Sequence, residues 1–144
     1  MDPVTALSVA AAAAQFAEQG AEVYFGLLKY FKSVAHAPER SVELQTEALL
    51  ISTVLKELKS TLKDIKYHSD EPLNDLVADF SKTMSELESR LVVIEDNEWI
   101  KRLKWYFTEK KINEYLSKFK KYRETFAMAL SIIQRYIIWN FSEF

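Results

Sequence analysis

The chain has no cysteine, only two glycines and only three prolines in 144 residues, which excludes several classes of protein at once. Without cysteine there is no disulfide framework and no thiolate chemistry. Turn-forming residues are few, and no strand-like alternation lies between turn signals, so the composition predicts long helices rather than a sheet. The length suits a single domain, residues 1–144, with a sizeable core.

Patterns that carry catalysis or bind cofactors are also missing. The two histidines, His36 and His68, have no spaced His, Asp or Glu partners that suit a metal ion. Gly20 and Gly26 are too isolated to form a phosphate-binding loop. No serine or threonine has a general base at a suitable spacing. We therefore expect no catalytic, cofactor-binding or metal-binding residues, and we expect that the chain is not an enzyme.

Apolar residues at helical spacing are what the sequence does contain. Along most of the chain they recur alternately four and three positions apart, which is the seam of left-handed helix packing. In the second long helix the seam is Leu44, Ala48, Ile51, Leu55, Leu58, Leu62 and Ile65. In the last helix it is Ile112, Leu116, Phe119, Phe126, Leu130, Ile133 and Ile137, with either Tyr122 or Arg123 at the inner position between Phe119 and Phe126. Short connections between such segments predict an all-α, up-down bundle of four long helices, with a short helix before the last one. The predicted segments are an N-terminal Ala-rich helix at 1–34, helices at 39–67 and 71–95, a short helix at 97–106, and a last helix at 108–140.

The N-terminal helix has an unusual composition. Asp2 is a suitable cap and Pro3 a suitable first helical residue. From Val4 to Ala14 the chain is apolar and mostly alanine, and the next charged residue after Asp2 is Glu18. This run is too short and too rich in alanine for a constitutive transmembrane helix. Asp2 also stands where a secretory signal needs positive charge.

The spacing predicts an inner face for this helix that is small in its first half and large in its second half. The predicted inner residues are Leu7, Ala10, Ala14, Ala17, Ala21, Tyr24, Leu28 and Phe31. Since stabilisation follows buried apolar area, the first half is the part that a bundle releases most easily. Gly20 and Gly26 mark either close packing against another helix or a release hinge between the two halves.

Charge is distributed unevenly along the chain. Residues 39–96 carry a net charge of −6 and residues 97–123 a net charge of +6. The basic segment is either a solvated face that pairs with the acidic middle of the chain or a surface for anionic lipid head groups. Aromatic platforms for bases are few, so no nucleic-acid partner is expected. The residues predicted to contact anionic lipid are Lys101, Arg102, Lys104, Lys110 and Lys111.

Two stretches resemble a known family. The opening MDPVTALSVAAAAAQF resembles the start of many fungal NLR-like (STAND) receptors. A later signature of their N-terminal domains reads lysine-tryptophan-proline-phenylalanine, then a helix, then an alanine-leucine pair. Here it is carried by Arg102–Phe107, Glu109, Lys110, Ile112, Tyr115, Leu116 and Phe126–Leu130, with Tyr106 in place of the usual proline. The chain is similar in this respect to the fungal HeLo and HeLo-like domains.

The resemblance implies a cell-death effector, similar to the four-helix executioner domain of the mixed-lineage kinase-like necroptosis protein. A receptor or amyloid signal would cluster the cytoplasmic domains, and they would self-associate and move to the plasma membrane. The N-terminal helix would then help permeabilise that membrane. The expected partners are anionic lipid and an NLR-like receptor or regulatory domain in the same or another chain. The residues expected to insert are Val4, Leu7, Val9, Ala13 and Phe16.

An alternative function remains open from the sequence. The chain would be a non-enzymatic signalling or oligomerisation module that binds protein only, with the first helix as a fixed member of the bundle. A weaker possibility is a bundle that restrains an attached ATPase. Liposome leakage and the effect of a charge placed at Leu7 or Val9 separate the first two functions.

Overall fold

A computed structural model describes residues 1–33, 40–63, 75–96 and 109–142. Within these ranges the chain forms helices and no strand, and the helices pack as a bundle. The prediction of an all-α helical bundle is confirmed. The helices are α1 (Pro3–Ala14), α2 (Ala17–Ser33), α3 (Ser41–Lys63), α4 (Asp75–Asp96) and α5 (Glu109–Ser142). The short helix predicted at 97–106 lies outside the described residues.

The first helix begins as predicted. Asp2 is the N-cap, its Oδ1 accepts a hydrogen bond of 2.9 Å from the backbone N–H of Thr5, and Pro3 takes the first helical position. The Thr5 hydroxyl donates a second bond of 2.8 Å to Asp2 Oδ2. Both hydrogen bonds lower the pKa of the Asp2 carboxyl below its usual value, and the bond from the Thr5 backbone has the larger effect. The cap therefore fixes where α1 starts.

The prediction of one continuous helix over 1–34 requires a correction. The helix is interrupted at Gln15 and Phe16, where the Phe16 N–H bonds to the Ala13 carbonyl at 3.0 Å, one residue closer than in an α-helix. The Gly20 N–H then bonds to the Phe16 carbonyl at 2.9 Å, which restarts the helical pattern. One tight turn therefore separates α1 from α2, at a place without glycine or proline.

The first helix packs against several of the other helices. α1 packs mainly against α3 and α5, while α2 packs against α3 and α4. Val4 and Leu7 line the same small pocket as Tyr136, near the end of α5. Phe16, just after α1, instead contacts Phe80, which in turn contacts Phe126. α1 therefore runs antiparallel to α5.

Large side chains fill the contact between α4 and α5. Phe80 packs edge-on against Tyr122 and Phe126, with ring centroids 5.2 and 5.0 Å away. The aliphatic part of this core comes from the predicted seam of α3. The buried seam residues of α3 are Leu44, Ala48, Ile51, Leu55 and Leu58.

The inner face of the first helix differs from the prediction by about one residue. Leu7, Ala14, Ala21, Tyr24 and Leu28 are only half-buried. Ala10 and Ala17 are buried as predicted. The other buried residues are Ala6, Val9, Ala12, Ala13, Gly20, Val23, Leu27 and Tyr30. In α1 the spacing does not single out one side because alanine occurs on every side, and in α2 two apolar residues stand next to each other at the inner positions, so either one fits the spacing. The side chain of Phe31 lies outside the described residues.

Candidate functional site

The contact between α1 and its neighbours is made of small side chains. The five buried residues of α1 are Ala6, Val9, Ala10, Ala12 and Ala13. Because alanine side chains are short, the backbone of α1 lies close to those of α3 and α5. No charged side chain lies in α1 itself. α1 is therefore held in the bundle mainly by small side chains, and Leu7, which is half-buried, is the larger apolar side chain that it packs against the core.

The residues predicted to insert into membrane do not share one face of the folded helix. Val9 and Ala13 are buried, and Leu7 and Phe16 are half-buried against the core. Val4 is exposed over 62% of its surface. In this arrangement only Val4 is open to a membrane, and the other four become available only when α1 moves away from α3 and α5.

One end of the bundle carries an exposed apolar surface, which we call the apolar end and define as Met1, Val4, Tyr136, Ile138 and Trp139. All five side chains are exposed. A small pocket beneath this surface is lined by Pro3, Val4, Leu7, Ile133 and Tyr136. The first turn of α1 therefore lies beside Ile133 and Tyr136 of α5.

The predicted lipid-binding cations are described only in part. Lys101, Arg102 and Lys104 lie outside the described residues. Lys110 is exposed at the start of α5, and the Lys111 ammonium lies 3.5 Å from the Glu114 carboxylate on the same helix. An exposed pair of this kind contributes little to stability, so it leaves both groups accessible to another charged partner.

These lysines lie far from the residues predicted to insert. Twenty-five residues of continuous helix separate Lys111 from Tyr136, which corresponds to about 38 Å along the axis of α5. Val4 lies beside Tyr136, at the opposite end from Lys111. Among the described residues, Lys110 and Lys111 therefore do not lie at the same site as Val4.

Two basic residues just beyond the predicted set pair with the acidic middle of the chain. The Arg123 guanidinium donates to both carboxylate oxygens of Glu47, from Nε at 2.6 Å and from Nη2 at 3.3 Å. This hydrogen bond and the charge of Glu47 raise the pKa of Arg123. Lys118 lies 3.8 Å from Asp79 on α4. For these two basic residues the structure supports pairing with the acidic middle of the chain.

A second polar contact joins α4 to α5 inside the core. The hydroxyl of the fully buried Tyr122 donates to Asp79 Oδ2 at 2.5 Å and lies 2.9 Å from the Thr83 hydroxyl. Lys118 Nζ donates to Thr83 Oγ1 at 3.4 Å. Burial, together with the hydrogen bond to Asp79, raises the pKa of Tyr122 well above its usual value. The hydroxyl therefore stays protonated and holds the two helices together.

Acidic groups meet between α2 and α4. Gln19 Nε2 donates to Ser85 Oγ at 3.1 Å and to Glu88 Oε2 at 3.2 Å. A hydrogen bond with Glu88, and then the charge of that residue, raise the pKa of the Glu22 carboxyl. The contact between these helices is thus partly repulsive when both carboxyls are ionised. It is exposed, which limits the repulsion because water screens it.

The two glycines of the first helical segment differ in their surroundings. Gly20 is buried, and a Cβ at this position would lie 3.0 Å from Leu55 Cδ1 on α3. It therefore permits the close approach of α2 to α3. Gly26 is half-buried. The interruption of the helix lies at Gln15 and Phe16 instead, and the role of the glycines as a release hinge stays a prediction.

No pattern in the sequence indicated the polar contacts of Tyr122 and Glu47. Glu47 is buried with its carboxylate against Arg123, although a glutamate in a helix is normally solvated. The choice between Tyr122 and Arg123 for the inner position of α5 was open from spacing alone. The structure buries Tyr122 and turns Arg123 toward α3.

None of the helices formed by the described residues is both long enough and apolar enough to cross a membrane. Comparison of the chain with protein-family models, with curated proteins and with solved structures yields no match. The function is therefore proposed from the residues and their arrangement.

Proposed function

We propose that this chain is a cell-death effector domain that targets and permeabilises the plasma membrane through its N-terminal helix when a receptor or amyloid signal clusters it. The observation that carries the proposal is the nature of the α1 contact. α1 is uncharged, and it packs against its neighbours mainly through four alanines and one valine, with Leu7 half-buried beside them. The sequence resemblance to fungal HeLo-like domains supplies the biological setting.

The energy of this contact supports release. Burying one methyl group contributes about 0.8 kcal/mol, so the four alanines and the valine of α1 together contribute roughly 5 kcal/mol to the free energy of unfolding. The buried leucines and isoleucine of α3 contribute roughly 10 kcal/mol on the same scale. A cluster of domains that gains new contacts with lipid or with each other has less to overcome when it extracts α1 than when it extracts α3.

The length of α1 sets the way in which it enters a membrane. Twelve helical residues measure about 18 Å, which is shorter than the ~30 Å hydrocarbon core. A released α1 therefore enters one leaflet rather than spanning the bilayer by itself. Val9 and Ala13, which face the core of the bundle, are the side chains that release transfers from protein to lipid.

The resting and activated states of the domain follow from the release of α1. The domain waits in the cytoplasm as an up-down bundle with a short helix at 97–106, and it relocates to the plasma membrane on activation. Its basic residues, including Lys110 and Lys111, then meet anionic head groups. Activation involves self-association and an NLR-like receptor or regulatory domain in the same or another chain.

A cross-link between α1 and α5 tests the release of α1. The chain has no cysteine, so Val4→Cys and Tyr136→Cys provide two unique thiols. Both positions are exposed and line the same pocket, which places them within reach of a short bis-maleimide. The protein is clustered by an antibody against a C-terminal tag and mixed with dye-filled vesicles that contain anionic lipid. We expect leakage from the unlinked variant and little leakage from the linked one.

The matched control is the same double variant with both thiols blocked by N-ethylmaleimide, which should leak like the wild type. Equal leakage from linked and blocked protein would contradict the release of α1. If the clustered wild type causes no leakage at all, the membrane function itself fails, and the protein-binding alternative replaces it.

An exposed stripe on α3 favours this second candidate function, a signalling module that binds protein only. Val42 and Leu49 are exposed on the outer side of α3, and Thr46 and Thr53 continue the stripe at spacings of four and three. Each threonine hydroxyl donates to the carbonyl four residues earlier at 2.9 Å, so a partner helix would bury no unpaired hydroxyl. Leu49→Glu should abolish signalling under this alternative and leave vesicle leakage unchanged.

A further inference from the structure

The break between α1 and α2 has a backbone that is almost helical. Gln15 has a φ of −63° and a ψ of −24°. In an α-helix these angles are about −63° and −42°, so Gln15 departs from the helix only in ψ, by about 18°. Among the described residues none has a positive φ. The break is therefore a local tightening of the 3₁₀ type, which a small change in ψ at Gln15 would help to relax.

The inner residues keep helical spacing across the break. From the middle of α1 to the middle of α2, buried residues recur three or four positions apart, and these are Ala10, Ala13, Ala17, Gly20 and Val23. If the two helices were joined into one, these residues would lie on a single stripe. The chain from Pro3 to Ser33 is therefore compatible with one continuous helix, about 46 Å long.

No local feature of the sequence requires the break. The segment Ala14–Ala17 has neither glycine nor proline, which are frequent causes of sharp kinks in helices. A tertiary contact is present at this point, because the half-buried Phe16 ring lies edge-on to the ring of Phe80, with centroids 6.0 Å apart. Phe80 is fully buried on α4. The break therefore coincides with a contact to a distant segment and not with a helix-breaking residue.

The helices on the two sides of the break have different neighbours. α1 packs mainly against α3 and α5, whereas α2 packs against α3 and α4. A Cβ on Gly20 would lie 3.0 Å from Leu55 Cδ1 of α3, and Gln19 donates hydrogen bonds to Ser85 and Glu88 of α4. α2 is therefore held to both of its neighbours by contacts that do not involve α1.

We propose that the turn at Gln15 and Phe16 is the hinge about which α1 leaves the bundle, and that the contact of Phe16 with Phe80 is the latch that keeps it closed. α1 swings out as an intact helix and becomes a continuation of α2, while α2 stays bound to α3 and α4. This inference rests on the proposed release of α1 and deepens it, because it states where the chain bends and what holds it. It takes the place of a hinge at Gly20 or Gly26.

Two single-cysteine variants test the position of the hinge. Ala10→Cys and Ala17→Cys place one thiol on each side of the turn, at alanines that are fully and almost fully buried. The chain has no other cysteine, so N-ethylmaleimide labels the introduced thiol when its position opens. The purified chain is labelled without vesicles, and mass spectrometry follows the rate.

The ratio of the two rates reports the local opening, because global unfolding exposes both thiols alike. We expect the thiol at position 10 to react at least about tenfold faster than the thiol at position 17. Equal rates would overturn the inference, since a hinge at Gly20 or Gly26 opens both positions together.

Phe16→Ala tests the latch in both cysteine backgrounds. Loss of the ring should raise the rate at position 10 by at least about tenfold and the rate at position 17 much less. Tyr24→Ala is the matched control, because Tyr24 is also a half-buried aromatic residue packed against the core but belongs to α2. The control should not raise the ratio of the two rates. A ratio that Phe16→Ala leaves unchanged would overturn the latch.

Gln15→Gly and Gln15→Ala distinguish a swinging helix from a fraying one. Gln15 is exposed, so neither substitution removes a core contact. If α1 stays helical as it opens, residue 15 is ordered in both states, and we expect the two variants to label alike at position 10. If α1 instead unfolded as it opened, glycine would favour the open state and label about fivefold faster than alanine. That result would overturn the swinging motion.

The leakage experiment separates this inference from the proposed function. If the cross-link between positions 4 and 136 prevents leakage but the two thiols react alike, the release of α1 is right and the hinge is wrong. If position 10 opens alone but cross-linked protein leaks as much as blocked protein, the hinge is right and the membrane role of α1 is wrong.

Discussion

The contact of α1 with the bundle and the contact between α4 and α5 stabilise the same fold by different means. α1 brings its backbone close to α3 and α5 and buries small side chains such as Ala6 and Ala10. α4 and α5 meet instead through large rings, with Phe80 between Tyr122 and Phe126, and through hydrogen bonds of the Tyr122 hydroxyl.

The two contacts differ in how their stability responds when a side chain is shortened or enlarged. A contact between large rings and hydrogen-bonded groups loses much free energy when one side chain is shortened, because a cavity and unpaired polar atoms remain. A contact between small side chains loses little on shortening but tolerates enlargement poorly, since close helices have no room for added atoms. The four substitutions below test this comparison.

Phe126→Ala should have the largest effect. Phe126 is fully buried and its ring lies 5.0 Å from that of Phe80, so its loss should lower the free energy of unfolding by about 3–5 kcal/mol. Urea unfolding followed by circular dichroism measures this change. Met128→Ala, at an exposed position of the same helix, should change it by less than about 0.5 kcal/mol. Similar losses for the two variants would contradict the assigned core.

Ala10→Leu should destabilise the other contact by enlargement. Ala10 of α1 is fully buried against the neighbouring helices. The atoms added by leucine should lower the free energy of unfolding by about 1–3 kcal/mol. Ala11→Leu, at a half-buried position, is the control and should cost less. The loss is again read from urea unfolding. If α1 is released as proposed, Ala10→Leu should also increase vesicle leakage, and unchanged leakage despite lower stability would count against the release.

Tyr122→Phe should lower the free energy of unfolding by about 1–2 kcal/mol, because Thr83 and Asp79 lose the hydroxyl to which both are hydrogen-bonded. The pKa of Tyr122 is raised above its usual 10.0, so this hydroxyl stabilises the fold fully below pH 10 and the contribution is lost as the pH rises through the folded-state value. Unfolding in urea at several alkaline pH values measures the difference. The exposed Tyr136→Phe is the control at neutral pH and should change the free energy of unfolding little. An equal loss in both variants would refute the polar contact.

Glu22→Gln should have the smallest effect and the opposite sign. The pKa of Glu22 is raised by Glu88, so a shared proton stabilises the fold below pH 4.5 and is lost as the pH rises through the folded-state value. The amide removes the repulsion, and the variant should therefore unfold at a slightly higher temperature than the wild type near pH 7. That advantage should vanish in acid. Glu57→Gln, at an exposed position of α3, is the control and should leave the unfolding temperature near pH 7 unchanged.

Much of the fold was predictable from the sequence because large and polar side chains alternate clearly in the later helices. The spacing of Leu44, Ile51 and Leu55 identified the inner side of α3, and all three are fully buried. In α5 the spacing identified Phe119 and Phe126 in the same way. Where leucine and phenylalanine stand against lysine and glutamate, only one side of the helix can face the core.

The first helix was predicted less well for the same reason in reverse. Alanine lies on all sides of α1, and burying an alanine contributes little free energy whichever side it is on. The periodicity therefore carried no information about the inner side. The interruption at Gln15 and Phe16 has no glycine or proline to announce it. It lies where the Phe16 ring packs against Phe80, a contact between residues that are far apart in sequence.

The candidate site was predictable only in its composition. The sequence singled out an uncharged N-terminal helix and a basic segment, but not their relative position. The distance of about 38 Å between Lys111 and Tyr136 follows from the length of α5. The apolar end required the antiparallel arrangement of α1 and α5, which places Val4 beside Tyr136.

The sequence by itself determined that the chain is helical, where α1 begins, and which side of α3 and α5 faces the core. These features follow from local propensity, capping and periodicity, which act over a few residues. The tertiary structure decided which side of α1 is buried, that Arg123 pairs with Glu47, and that Val4 and Tyr136 lie at one end. Each of these depends on a neighbour from a distant segment, and small or charged side chains do not encode that neighbour locally.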